Sequence, residues 1–507
     1  MIGQENLVRR TAGALLPFLM AALALGAAAV AGLAVARQPL LAFLALLALP
    51  FGLALLLRPD FAVLVVIFGL YSNAPVVGVR FHNLPYIAGA AFPLLLALPL
   101  AVNLLFRRRK LVFTSLLPLM VAFLGVQLAG ALFSIDIGEA ASNLIEFLVE
   151  GLGIFFLIVN TVRTQAVLRR VVWALLLAGA LLGGVPLVQQ LTGDFENNYG
   201  GFAQISEGTI RTGEETLQGE VRQPRLAGAI GEQNRYAQIM LMLVPLGLFR
   251  FWGERAPLLK VLALVASGLA AVGMALAFSR GAAVGFALTL LLMVFTRNIR
   301  PYQFAALLAA GALLLAAFPQ YGFRLTSLQG VAALLNPAAA SGEELDGALK
   351  GRATAMLAAG YAFLDHPVVG VGPGMTRYYT REYGNRLGIR ILTEDREAHS
   401  LYLGVASDNG ALGLLCFLAL VGLTLYGLVQ ARRRWMGANP DLANLATGFL
   451  LALVSYLATG LFLHLSYARY FWLVLALSQA AVEISREAGR AAGDEAPAPA
   501  GPEGAAA

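Results

Sequence analysis

Apolar runs, separated by short polar breaks, follow one another through most of the chain. A helix needs about 17–25 apolar residues to cross a hydrocarbon core. Runs of that order predict spans at roughly 13–35, 38–57, 60–75, 84–105, 112–133, 143–160, 168–191, 229–250, 258–278, 281–297, 301–319, 400–430, 444–464 and 468–485. The third is short for a span. Helices are expected because they satisfy their own backbone hydrogen bonds without water, whereas barrel strands would show short alternating segments, which the pattern lacks. The predicted fold is all-α, a polytopic transmembrane helical bundle of about 12–14 spans.

Two polar stretches, about 192–228 and about 320–399, are too long for simple connections. Loops longer than about 15 residues are usually functional or disordered. The first holds Asp194, Glu207, Glu214, Glu215 and many glycines, and is expected to be partly mobile. In the second, Leu349, Ala353, Met356, Leu357, Gly360 and Phe363-Leu364 fall on one face of a helical pattern that Pro367 ends. This predicts an amphipathic helix in the membrane interface. The resulting division is 1–191 N-terminal helices, 192–319 helices with the first outer loop, 320–399 a large extracytoplasmic loop, 400–487 C-terminal helices and 488–507 a disordered tail.

Composition supports this division: the 507 residues are 59% hydrophobic and 13% charged. A net charge of +7 invites a nucleic-acid partner, but the basic residues stand at the ends of apolar runs, where they act as topology signals. When the spans alternate, more than half of the 36 basic residues fall on one side, including Arg107-Arg108-Arg109-Lys110 and Arg432-Arg433-Arg434. That side is expected to be cytoplasmic, which puts both long loops outside and makes membrane lipids, not nucleic acid, the surroundings. Arg9-Arg10 before the run from Gly13 to Val35 reads as a signal anchor, and a single Cys416 excludes an intrachain disulfide.

Candidate chemistry gathers at predicted outer span ends. Arg225 precedes Gly231-Glu232-Gln233-Asn234-Arg235-Tyr236-Ala237, Arg280 sits in Ser279-Arg280-Gly281 between two runs, and Arg352 begins the amphipathic segment. A guanidinium suits a phosphate or pyrophosphate because its planar fork donates two charge-assisted hydrogen bonds. Each of these arginines could equally be an interface anchor, although the tight turn at Arg280 leaves that side chain little freedom to snorkel. His399 enters a span nine residues before Asp408, and a neutral imidazole there could take a proton from a hydroxyl. His82 and His464 lack a motif and read as structural, and His366 before Pro367 as part of a turn. Gly370-Val371-Gly372-Pro373-Gly374 could bring backbone close to an anion, or form a rigid turn around Pro373. Glu146 and Glu150, one helical turn apart, are expected to pair with an outside arginine. No metal-ligand cluster or phosphate-binding Gly-rich loop is present, so neither a metal nor another cofactor is expected.

The ordered set resembles the O-antigen ligase and O-antigen polymerase family of bacterial membrane glycosyltransferases. Its members are Arg225 with Gly231 and Asn234-x-Tyr236-Ala237, Ser279-Arg280-Gly281, Gly351-Arg352 with Gly370-x-Gly372-x-Gly374, and His399-Ser400-x-x-Leu403 with Asp408-x-Gly410-x-x-Gly413. Family members often carry Pro where this chain has Gln233, and Glu where it has Asp408. The resemblance implies an inner-membrane enzyme whose active site faces outside and whose donor is an undecaprenyl-pyrophosphate-linked oligosaccharide. It implies His399, Arg280 and Arg225 as catalytic residues and Arg352, Asn234, Gly372, Gly374 and Tyr402 as substrate-binding residues. The reaction would be an inverting, metal-independent transfer to a lipid or glycan acceptor. A polymerase would use a second lipid-linked repeat as acceptor. A lipid-linked glycan transporter would need charges spread across the midplane and related halves, and a purely structural scaffold leaves the Ser279-Arg280-Gly281 turn unexplained.

Overall fold

A computed structural model describes residues 52–55, 57–216, 219–295, 299–317, 347–388, 394–465 and 468–494. The first predicted span and most of the second lie outside these residues. The short third span is a broken pair, α1 (Pro59–Tyr71) and α2 (Ala74–Phe81), bent by 56°. At the break Asn73 adopts a left-handed φ of 63° and donates from Nδ2 to the Ala229 carbonyl at 2.7 Å.

The following elements are α3 (Tyr86–Ala91), a 3-10 turn and α4 (Ala97–Leu105); α5 (Leu117–Leu132); α6 (Ile137–Glu146), a π turn and α7 (Ile154–Thr161); and α8 (Gln165–Thr192). Next come β1 (Gln204–Thr216) and β2 (Gly219–Gly228), then α9 (Gln233–Gly253), α10 (Pro257–Leu276), α11 (Arg280–Phe295) and α12 (Pro301–Ala317). The chain continues through α13 (Gly347–Asp365), α14 (Thr376–Leu387), α15 (Leu401–Trp435), α16 (Pro440–Thr459) and α17 (Ala468–Asp494). Among the described residues, seven helical units are long and apolar enough to cross a membrane, or eight if the bent pair counts as one. Helices α5, α11 and α12 fall short in length. Helix α17, expected as a span over 468–485, is not among the seven: Arg469, Gln479 and Glu483 dilute its apolar run, and most of it is buried.

Helix α9 forms the centre, buried along nearly its whole length against α8, α10 and α16. Small residues make this possible. The inward face of α10 is Ala263, Ala266, Ser267, Ala270 and Gly273, while Leu258, Val261, Leu262, Leu264 and Val265 are exposed on its outer face. A Cβ on Gly183 of α8 would lie 2.2 Å from the Leu269 carbonyl oxygen, so only glycine permits this helix approach. Large apolar groups outside and small ones inside is the arrangement of helices solvated by lipid. Of the two acids Glu146 and Glu150, Glu150 has the expected arginine partner, with Arg469 Nη1 3.7 Å from its Oε1.

In the first long loop, β1 and β2 form an antiparallel two-stranded hairpin that the sequence did not predict. Ile205, Thr209, Ile210, Thr212, Thr216 and Val221 supply the β-branched residues that favour strands, a signal outweighed in the sequence by the surrounding Gly and Glu. Helix α13 ends just before His366-Pro367, as predicted. Its protein-facing side is the small one, Thr354, Ala355, Ala358, Ala359 and Ala362, packed towards α14 and α15. Leu357, Tyr361 and Leu364 remain exposed.

Candidate functional site

The return strand of the hairpin carries Arg225 into the protein, opposite Ser206. After Gly228 and Gly231, both with positive φ, Glu232 caps α9: its carboxylate accepts from Asn234 N at 3.0 Å and from Arg235 N at 2.7 Å. An anion at a helix N-terminus is favoured by the exposed amides and the dipole. The same carboxylate accepts from Asn234 Nδ2 at 2.8 Å, which fixes that amide with its oxygen turned the other way. Asn234 Oδ1 then accepts from Arg225 Nη2 at 3.3 Å and from Ser279 Oγ at 3.0 Å.

Ser279 lies in the break between α10 and α11, where Phe278 takes a φ of 49°. The break exposes the Ala277 carbonyl, which accepts from Arg225 Nε at 3.2 Å. Arg280, buried, opens α11 immediately afterwards. Thus Arg225, Asn234 and the Ser279-Arg280 turn, separated along the chain, form one buried polar cluster. Asn234 is its hub.

A second cluster surrounds His399. This residue has a φ of 50°, a strained conformation for a non-glycine, and Ser400 after it caps α15. The Leu401 amide donates to the Gly460 carbonyl at 2.7 Å, which ties this end of α15 to the end of α16. The His464 ring, from the connection after α16, stands perpendicular to His399 with centroids 6.0 Å apart. Burial, reinforced by the charges of Arg352, Arg235 and Arg396, pushes the His399 imidazole down to about 4. Burial, then Arg235 and His399, also lowers His464 well below its ordinary range. Both rings are therefore neutral at neutral pH.

Arg235 links the clusters. It follows Asn234, yet its charge acts on both histidines. Its Nη1 donates to Gln238 Oε1 at 3.4 Å, and Gln238 in turn donates to Thr459 Oγ1 at 2.8 Å at the end of α16. Glu397 lies at the same end, its carboxyl raised to about 7 by burial and by Asp408, with Arg377 and Arg235 opposing. A buried group titrating near neutrality among other charged side chains is a functional candidate.

The glycine segment forms the turn that is one of its two readings. Gly370, Gly372 and Gly374 all have positive φ. The turn docks on α15 where Gly410 breaks the helix: Val371 N donates to Ser407 O at 2.9 Å, Gly372 N to Asp408 O at 3.0 Å and Ala411 N to Pro367 O at 2.7 Å. The Asp408 carboxylate accepts from Thr376 N at 2.9 Å and Thr376 Oγ1 at 2.6 Å, at the start of α14. Gly372 packs on Gly130 and Ser134, and Gly374 on Asn143. The segment is a clasp that holds α13, and with it Arg352, against α15. Tyr402 is likewise turned into the protein, its hydroxyl donating to Leu457 O at 3.0 Å.

Sequence reasoning gave no role to Arg235, His464 or Glu397. Arg235 and Glu397 lay inside quoted motifs, so position was the available signal. His464, far along the chain in an unremarkable apolar stretch, offered none. Among the described residues no group of three or more His, Cys, Asp or Glu could hold a metal ion.

In comparison with known proteins, a family model described as O-antigen ligase matches residues 262–418. The matched segment runs from within α10 to the middle of α15 and contains Arg280, Arg352 and His399; Arg225 and Asn234 precede it. No curated protein is significantly similar to the chain.

Proposed function

We infer that this chain, whose residues 262–418 match a family model described as O-antigen ligase, is a membrane glycosyltransferase that moves a glycan from a lipid pyrophosphate carrier to an acceptor hydroxyl at the His399 end of the bundle. The observation that carries this reading is the junction of two clusters through Arg235. One is the buried Arg225 guanidinium held by Asn234, with the buried Arg280 next to the Ser279 that the same Asn234 holds, and the other a neutral imidazole among further arginines. The first suits a leaving pyrophosphate and the second an attacking hydroxyl.

In this reading the acceptor oxygen forms a bond to the anomeric carbon as the bond to the pyrophosphate oxygen breaks. The pyrophosphate leaves with the electron pair, and the hydroxyl proton passes to His399. One displacement inverts the anomeric centre. Arg225 and Arg280 stabilise the departing charge and Arg352 assists from the clasped helix, so positioning and electrostatics supply the catalysis. A base held near 4 is weak; burial is the main cause, and a bound pyrophosphate would offset the smaller part that comes from Arg352, Arg235 and Arg396 and so raise the basicity of His399. The donor in this proposal is an undecaprenyl-pyrophosphate-linked oligosaccharide and the acceptor a lipid-anchored core. A polymerase, with a second lipid-linked repeat as acceptor, uses the same chemistry.

The test is reconstitution in nanodiscs with the lipid-linked donor, with and without a lipid core acceptor, comparing wild type with His399→Ala. Product that requires both core and His399, and survives a chelator, is the expected result. Longer glycans without core would make the protein a polymerase. Saturable donor binding with no product under any condition would turn the assignment to a transporter.

A further inference from the structure

The reaction site occupies one end of the bundle, and a second built site lies at the other. Helix α15 begins beside His399 and runs 35 residues to Trp435, about 50 Å of helical rise less the bend at Gly410. A bilayer with its headgroups is about 40–45 Å thick, so the two ends of α15 belong to opposite faces. At the Trp435 end, α15 and α17 form an open cleft of about 560 Å³. Its basic wall is Arg433, Arg434 and Arg486, and its apolar part includes Tyr426 and Val482.

The basic wall is held in place. Trp435 Nε1 donates to Ser485 Oγ at 2.8 Å, locking the two helices together. The Arg434 guanidinium lies 5.9 Å from the Trp435 ring centroid and packs on Gly489, where any Cβ would collide with it. Glu483 pairs with Arg486 at 2.9 Å and neutralises one charge of the three. Among the described residues, Arg433 and Arg434 have no carboxylate partner.

Two guanidinium forks beside an apolar wall at the membrane surface match a ligand with a phosphate at one end and hydrocarbon at the other. Basic pockets between transmembrane helices on the cytoplasmic side bind such headgroups. We propose that the cleft between the far ends of α15 and α17 is a binding site for an anionic phospholipid, with Arg433 and Arg434 gripping its phosphate and Tyr426 and Val482 lining its acyl side. The site is independent of the glycosyl-transfer reading and lies on the opposite face from its chemistry. It would anchor α15, the helix that carries the clasp.

Native mass spectrometry of the detergent-purified chain with phosphatidylglycerol, cardiolipin, phosphatidylcholine or inorganic phosphate tests this. Wild type should retain the anionic lipids about tenfold more than phosphatidylcholine. The double variant Arg433→Gln/Arg434→Gln should lose that preference, whereas Arg169→Gln, which removes a basic residue elsewhere, should keep it. Melting in phosphatidylcholine alone checks that the variants fold, and the charge-conserving Arg433→Lys/Arg434→Lys should still lose most of the preference. Equal retention of all lipids, full retention in the Lys double variant, or unchanged retention in the Gln double variant would overturn the site. Displacement of lipid by millimolar inorganic phosphate would overturn the lipid assignment.

Discussion

Arg280 is the residue on which the proposed chemistry depends most directly. It is buried at the start of α11, next to the Ser279 that Asn234 holds. Removing one donor from a preorganised charge-stabilising site typically costs about 100–1000-fold in rate, so Arg280→Ala should lose transfer by at least that order while remaining folded. Arg280→Lys should be nearly as damaging, because an ammonium replaces the fork by a point charge. Wild-type turnover in the Lys variant would leave only a diffuse electrostatic role. Arg352 acts differently, as a charge that helps hold His399 down to about 4. Removing a positive charge raises an imidazole pKa, so Arg352→Gln should move the acid limb of the kcat/KM profile to higher pH, since that limb reports the free enzyme. A profile that stays in place would mean Arg352 does not act on His399.

At the scale of elements, the clasp between the glycine turn and the break in α15 sets the geometry. Gly410 has φ 65° and ψ −168°, and a Cβ there would lie 2.2 Å from the Val368 carbonyl oxygen. Neither backbone can move without breaking the Ala411-to-Pro367 hydrogen bond. Gly410→Ala should therefore destabilise by several kcal/mol, about the level of a strained backbone combined with a core clash, and show as a lowered melting temperature and faster proteolysis of the 347–388 region. Loss of activity with unchanged stability would instead point to a ligand contact. Much of this was legible in the chain. Most of the helices followed from apolar run length and the end of α13 from Pro367, although α5, α11, α12 and α17 do not meet the length and apolarity of a span. The co-location of Arg225, Asn234 and Arg280 was suggested only by their common place at outer span ends. The hairpin was hidden because its β-branched residues are interleaved with Gly and Glu. The clasp was hidden because Gly-x-Gly-x-Gly looks the same whether its amides meet a ligand or another strand of backbone. His464 joined the site through tertiary packing alone, which no local pattern records.

For the molecule as a whole, orientation decides whether the proposed reaction is possible. A pyrophosphate-linked donor brings its own leaving group, and a compartment without nucleotides requires such a donor. The excess of Lys and Arg is the ground on which the proposal puts the Trp435 end in the cytoplasm and the His399 end outside. Both ends offer reporters: Arg386, exposed on α14, and Gly437, between α15 and α16 with open space where a Cβ would go. In a chain with Cys416→Ser, which removes the single native thiol, Arg386→Cys and Gly437→Cys can be probed separately with a membrane-impermeant maleimide. The first should label in intact spheroplasts and the second only after lysis. The reverse pattern would put the arginine clusters in the cytoplasm, where nucleotide sugars are available as donors, and the case for a lipid-linked donor would fail even if every contact around His399 were correct.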